Sequence, residues 1–166
     1  MLVNNAGVQH RQPLVDTSAA DWHRVLDTNL TSAFLLAREA APAMVAAGRG
    51  KVLNVGSVQT SLARPGLSAY SASKGGLAML TRVMCAEWAA SGVQVNALAP
   101  GYVETEPTRP LRDDPAFDTW IRGRTPAGRW GTPGDLVGAA VFLVSRAADF
   151  VSGQVLTVDG GLTAVV

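Results

Sequence analysis

Residues 2–7, LVNNAG, decide how the rest of the chain is read. Leu2 and Val3 are strand formers, and Asn4-Asn5-Ala6-Gly7 is a sharp polar turn with no bulky side chain at its tip. A buried strand ends this way beneath a ligand. Three further runs rich in branched residues share that texture: KVLNV (51–55), VQVNALA (93–99) and QVLTVD (154–159). Each reads as a buried strand of a parallel sheet. Each also leads into Gly, Ser, Asn or Pro rather than bulk, at VGSV, LAPGYVET and VDGG.

Longer helical segments lie between the strands. Thr17-Ser18 offers an N-cap for a helix over 19–47 that Gly48 closes. A second helix runs from about Ser68 to Ala90 and stops before Gly92, and a third begins near Pro133 and carries LVGAAVFLVS. This alternation predicts right-handed crossovers and a doubly wound parallel α/β sheet. In such sheets ligands bind outside the carboxyl ends of the strands. Residues 101–133 differ in texture. Prolines at 107, 110, 115 and 126 and several charges predict a mobile loop with a short helix around Asp114–Arg122, beside a site.

At 166 residues the chain suits one domain, and 48% hydrophobic against 16% charged residues makes it core-rich rather than disordered. A net charge of +1 with no basic stripe argues against a nucleic-acid partner. The apolar run LVGAAVFLV is too short to cross a bilayer, and the start lacks the pattern of a signal peptide. Cys85 has no second cysteine to pair with, which favours a reducing compartment. The expectation is a cytoplasmic protein without a membrane partner. His10 and His23 have no carboxylate or cysteine company at ligand spacing, so no metal is assigned.

The chemistry concentrates in GLSAYSASKGGLAML (66–80). Tyr70 and Lys74 are four apart and share one helix face. A free phenol titrates near 10, too high for a base at neutral pH, and an ammonium held nearby favours the phenolate. The pair thus reads as a general acid/base for a hydroxyl or carbonyl. Gly75 and Gly76 leave the helix thin where a backbone or ligand comes close. Ser57, just past KVLNVGS, can donate to a substrate oxygen at the same edge. Asn29, in LDTNLTSAF, is a poor helix former inside a helix, and predicts a bend that holds a water near Lys74. Taken singly, each residue also fits a bland role: a turn serine, or a solvated lysine lying over an aromatic ring.

NNAG, the Asn of DTNL, GSV, YSASK and PGYVET stand in the order and spacing of the classical short-chain dehydrogenase/reductase family. The chain resembles that family along its whole length, down to GQVLTVDGG. The resemblance implies strands 4 to 7 of a Rossmann-type sheet and a catalytic tetrad of Asn29, Ser57, Tyr70 and Lys74. It implies NAD or NADP as cofactor, contacted by Asn5, Ala6 and Gly7, by Tyr70 and Lys74, and by Pro100, Gly101, Val103 and Thr105. It also implies a homotetramer or homodimer. Within the family, NNAGVQHRQPLVD, MCAEWAASGVQVNALAPGYVETE and RTPAGRWGTPGDLVGAAVFLVS resemble gluconate 5-dehydrogenases, so the small-molecule substrate is expected to be a sugar acid.

Arg11 and His10 follow the cofactor turn and join Ser57 and Tyr70 as substrate candidates. Arg11 can offer a carboxylate a forked pair of bonds, or it is a loop charge in solvent. Arg64, Trp120 and Trp130 are lesser candidates for the same pocket. The alternatives are a 3-oxoacyl carrier-protein reductase and an inactive remnant. The second arises because the family's Gly-rich turn, which places a pyrophosphate at a helix N-terminus, occurs nowhere in the chain. The residue that chooses NAD or NADP is missing with it. Residues 1–166 are therefore expected to form a single incomplete Rossmann domain, truncated before LVNN, with 101–133 as its substrate-loop region.

Overall fold

The computed structural model describes residues 1–166. Four strands, β1 (Leu2–Asn4), β2 (Gly50–Val55), β3 (Val93–Pro100) and β4 (Val155–Val158), form one parallel sheet in the order β1-β2-β3-β4. Leu2 pairs with Val52, Val52 with Val95, and Leu98 with Leu156. Six helices accompany them: α1 (Ala19–Leu26), α2 (Ser32–Ala46), α3 (Ser68–Trp88), α4 (Arg109–Arg112), α5 (Pro115–Arg124) and α6 (Pro133–Val144).

Side chains alternate across a strand, so each central strand feeds two cores. Val52, Val93 and Val95 bury one face against Ala37 of α2 and Met84 of α3. Leu53 and Leu98 bury the other face against Leu143 of α6. A side chain of this size stabilises the fold by about 1.5–3 kcal/mol when fully buried. The expected doubly wound layering is therefore present. A chain of buried amides fixes the end of β1: Asn4 Nδ2 donates to Asn54 Oδ1 at 2.8 Å, and Asn54 Nδ2 to Thr81 Oγ1 at 2.9 Å. The first asparagine of LVNNAG thus ties two strands to α3.

The first long helix is continuous but not uniform. Ser18 caps it by accepting from Asp21 N at 3.0 Å. Between α1 and α2 the residues Asp27–Thr31 form a π-helical turn, and Asn29 sits buried within it. The irregularity expected at Asn29 takes the form of this π-turn. Gly92, at φ +76°, turns the chain from α3 into β3, and a Cβ at that position would collide with the Gly48 carbonyl. Of the glycine pair in α3, Gly76 meets the π-turn closely, since a Cβ there would lie 2.8 Å from Leu30 Cδ2, whereas Gly75 faces open space.

Residues 101–133 correct the sequence reading. They hold a 3₁₀ turn (Glu106–Thr108), α4 and α5 rather than a loop with one short helix. The helix expected around Asp114–Arg122 is α5, and Pro115 occupies its first turn, where its missing N–H costs nothing. Asp114 caps that helix through Ala116 N at 3.0 Å. Trp130 is 2% exposed and donates to Asp118 Oδ1 at 2.7 Å, and Tyr102, Phe117 and Trp130 cluster with ring centroids 5.6–6.2 Å apart. The segment is a folded flap with its own small core.

Candidate active site

Because all strands run in one direction, the carboxyl ends of β1, β2 and β3 open on one cleft of about 890 Å³. The turn after β1 brings Asn5 and Gly7 to it, the end of β2 brings Ser57, and α3 brings Tyr70 and Lys74. The end of β3 adds Pro100, Gly101, Val103 and Thr105, and Arg11 closes one side. Ala6 is exposed in the turn between Asn5 and Gly7. The fourth strand end behaves differently from expectation. Asp159 of VDGG accepts from Gly161 N at 2.9 Å, Thr163 N at 2.8 Å and Thr163 Oγ1 at 2.7 Å, so it builds a turn. It reaches the site only by pressing on Gly101, where a Cβ would stand 2.8 Å from Asp159 Cα.

Lys74 is 3% exposed, and its Nζ donates to Val55 O at 2.6 Å. Burial lowers its pKa from 10.5 to about 8. An unfolded lysine keeps its proton to higher pH than the folded one. The penalty of burying the charge is therefore complete below about pH 8 and is relieved as pH rises toward 10.5. Lys74→Met is expected to stabilise the chain at pH 7 by on the order of 2 kcal/mol, the lost Val55 hydrogen bond included. The gain should shrink at pH 9, and denaturant unfolding at the two pH values measures it.

The electrostatics of Tyr70 correct the expectation of an easily formed phenolate. Burial raises its pKa, and the Ser57 and Gln9 side chains and the Arg11 charge oppose that rise without cancelling it. Lys74 Nζ faces the ring, 5.7 Å from its centroid. Tyr70 is thus a neutral phenol facing the cleft. Ser57 is 9% exposed and accepts from Gln59 N at 3.2 Å, which leaves its hydroxyl proton free to point elsewhere.

Asn29 spends its amide on the first turn. Its Oδ1 accepts from Val8 N at 2.8 Å, while Nδ2 donates to Val8 O at 2.9 Å and Ser73 Oγ at 3.0 Å. With both donors used, its side chain positions the turn after β1 rather than gripping a water through its N–H groups. His10 points away from the cleft: Nε2 meets Gln12 Oε1 at 2.8 Å, and Nδ1 lies 3.6 Å from Asp21 Oδ1. Arg11 Nη2 donates only to Gln9 Oε1, at 3.2 Å. Gln9, Arg24 and Tyr102 join the cleft or its extension without having been foreseen. Gln9 and Arg24 carry no spacing signal, and Tyr102 lies inside PGYVET, whose pattern points to its backbone rather than to this ring.

A nicotinamide–ribose unit suits this lining. No Asp or Glu lines the cleft, and Lys74 has two of its three N–H groups to offer once Val55 O is served. Gly7 keeps the approach open, since a Cβ there would stand 3.6 Å from Lys74 Nζ and 3.5 Å from Asn29 Oδ1.

The family described as enoyl-(acyl carrier protein) reductase matches residues 1–163. The chain is 51% identical over 163 residues to gluconate 5-dehydrogenase of Gluconobacter oxydans, covering 98% of this chain and 64% of the relative. It is 48% identical over 166 residues to 5-keto-D-gluconate 5-reductase of Escherichia coli, covering 100% of this chain and 65% of the relative. Its fold matches that of a gluconate 5-dehydrogenase from Burkholderia cenocepacia in complex with NADP and tartrate, with a TM-score of 0.97 and 54% identity. That match covers 99% of this chain and 65% of the other. The chain therefore spans 64–65% of the length of these relatives.

Proposed function

The chain belongs to the short-chain dehydrogenase/reductase family, and from that premise we propose that it carries the catalytic part of an NAD(P)-dependent oxidoreductase. Its reaction interconverts gluconate and 5-ketogluconate. One observation supports this reading most: Ser57, Tyr70, Lys74 and the unpaired Arg11 share a cleft with no acidic side chain. An acid-free cleft bearing three cations, of which only Arg24 is paired with a carboxylate, selects an anionic substrate.

A bound nicotinamide supplies the two-electron acceptor for the oxidation and the donor for the reduction. Asn5, Gly7, Lys74, Pro100, Gly101, Val103 and Thr105 are the residues that would hold it, with Ala6 at the tip of the turn. Ser57 donates to the substrate oxygen and stabilises charge on it. Tyr70 takes the hydroxyl proton in the oxidative direction and returns it in the reductive one. Lys74 binds at the floor of the cleft and Asn29 holds the turn against it. The exposed apolar residues of α2 and α3, among them Leu36, Met79 and Val83, serve contact between copies in a dimer or tetramer. No helix is long and apolar enough to cross a membrane. With its lone thiol, the chain is assigned to the cytoplasm.

Arg11→Ala is expected to raise the KM for gluconate at least about tenfold, because removing a charged partner costs a few kcal/mol. The assay uses a chimera in which residues 1–166 follow the N-terminal segment of the Gluconobacter oxydans relative. The intact chimera should oxidise gluconate far better than a simple secondary alcohol. Equal turnover of acyl-thioester ketones would favour a carrier-protein reductase instead.

A further inference from the structure

Beyond the catalytic cleft, the segment 59–65 and the flap helix α5 enclose a second cavity of about 440 Å³. Leu62, Phe117 and Trp120 give it apolar walls, and Arg64 and Arg124 enter it. The Arg64 guanidinium lies over the Phe117 ring, with Cζ 4.3 Å from the centroid. Its Nη1 is buried and has no hydrogen-bond partner. A charged donor left buried and unpaired is costly, so such an atom needs an acceptor from elsewhere.

Arg64 stands at a junction. It also lines a small pocket of about 70 Å³ that contains Ser57, Tyr70 and Arg11. Arg11 and Arg64 line that pocket together, and partial burial first, then the Arg64 charge, works against the protonated form of Arg11. No acidic side chain lines either cavity or the main cleft, and neither arginine forms an ion pair with a carboxylate. Most other arginines at this end of the molecule do: Arg24, Arg112 and Arg129 reach carboxylates at 3.3, 3.1 and 2.8 Å. Two like charges gathered beside the catalytic hydroxyls, with no acid to balance them, form a site for one carboxylate.

We propose that Arg64 is the second guanidinium of a carboxylate clamp whose first is Arg11, and that this clamp sets the preference for a sugar acid over the neutral polyol. The inference rests on the sugar-acid reading above and adds a specificity-determining residue to it. Phe117 holds the Arg64 guanidinium by its face and offers no acceptor at its edge, so the group is placed before the substrate arrives. The substrate carboxylate supplies the acceptor that Nη1 lacks. Arg124 Nη1 is buried and unpaired too, but Arg124 lines only the far cavity and its Nη2 is spent on Val165 O at 2.9 Å. It is the control.

Gluconate and sorbitol, an uncharged six-carbon polyol, are titrated into the 166-residue chain and followed by tryptophan fluorescence, Trp120 being half exposed in the cavity wall. The same pair is assayed for turnover in the chimera. Arg64→Met is expected to lower the gluconate-to-sorbitol kcat/KM ratio at least about tenfold, through the KM for gluconate, and to weaken gluconate binding in parallel. Arg64→Lys should recover only part of the loss, because a point charge cannot fork. Arg124→Met should change the ratio much less. An unchanged ratio in both Arg64 variants, or a larger effect at Arg124, overturns the clamp while leaving the sugar-acid reading intact. Equal use of sorbitol and gluconate by the unsubstituted chimera overturns that reading, and the clamp with it.

Discussion

Replacing Tyr70 by phenylalanine is expected to lower turnover by about 10²–10⁴-fold in the chimera while leaving dinucleotide affinity nearly unchanged. The substitution removes one oxygen and keeps the ring, so Lys74 retains the aromatic face that its Nζ overlies at 5.7 Å. What disappears is the proton acceptor beside Ser57. Burial raises the pKa of this phenol, with Ser57, Gln9 and Arg11 opposing, and that fixes the pH dependence. Oxidation needs the deprotonated phenol and should quicken as pH rises, whereas reduction needs the proton and should favour lower pH. The profile measured with the tyrosine enzyme should flatten in the residual activity of Tyr70→Phe. Lys74→Ala supplies the contrast: it should weaken cofactor binding and lower kcat together, because the proposed function assigns Lys74 to both. Near-normal turnover in Tyr70→Phe would remove Tyr70 from its role.

The strands and their order of use were legible because the sheet is buried on both faces, so branched residues run almost without interruption through 51–55 and 93–99. The irregular turn at Asn29 was legible for a related reason, since an asparagine inside a helix has to find partners for its amide. What those partners were could not be read: the sequence gives no sign that Val8 returns to within 2.8 Å of Asn29 Oδ1. His10 and Arg11 show the same limit. They are neighbours in sequence, but successive side chains diverge, and only Arg11 turns to the cleft while His10 goes to Gln12 and Asp21. Spacing placed Lys74 beside Tyr70 correctly, yet it carried no information about depth. Depth decides the electrostatics here, lowering Lys74 to about 8 and raising Tyr70. In 101–133 the short helix around Asp114–Arg122 is found as α5, whereas the 3₁₀ turn, α4 and the aromatic core are not marked in the sequence, because proline marks loops and helix starts alike.

A polypeptide of residues 1–166 by itself is expected to bind NAD(H) and NADP(H) no more tightly than about 1 mM, and to show no gluconate oxidation despite its assembled catalytic groups. On the proposed function the cleft supplies contacts for the nicotinamide and its ribose only. The Gly-rich turn that gathers backbone N–H groups around a pyrophosphate is not in these residues, and no other segment replaces it. Without that anchor the dinucleotide pays its ordering entropy against half of its contacts. The sheet adds a second consequence. β1 pairs only with β2, so its outer N–H and C=O groups meet no strand, and Val3 is 44% exposed beside them. Leu36 and Met79 add further exposed apolar surface on α2 and α3, at 53% and 55%. Such edges and faces pair with whatever is nearest. Light scattering should therefore show association that grows with concentration, and the chimera should reduce it by covering β1 while restoring cofactor binding. Calorimetric titration with both cofactors decides the matter. Micromolar binding with turnover in the 166-residue chain would show that the ribose and nicotinamide contacts suffice without a pyrophosphate site.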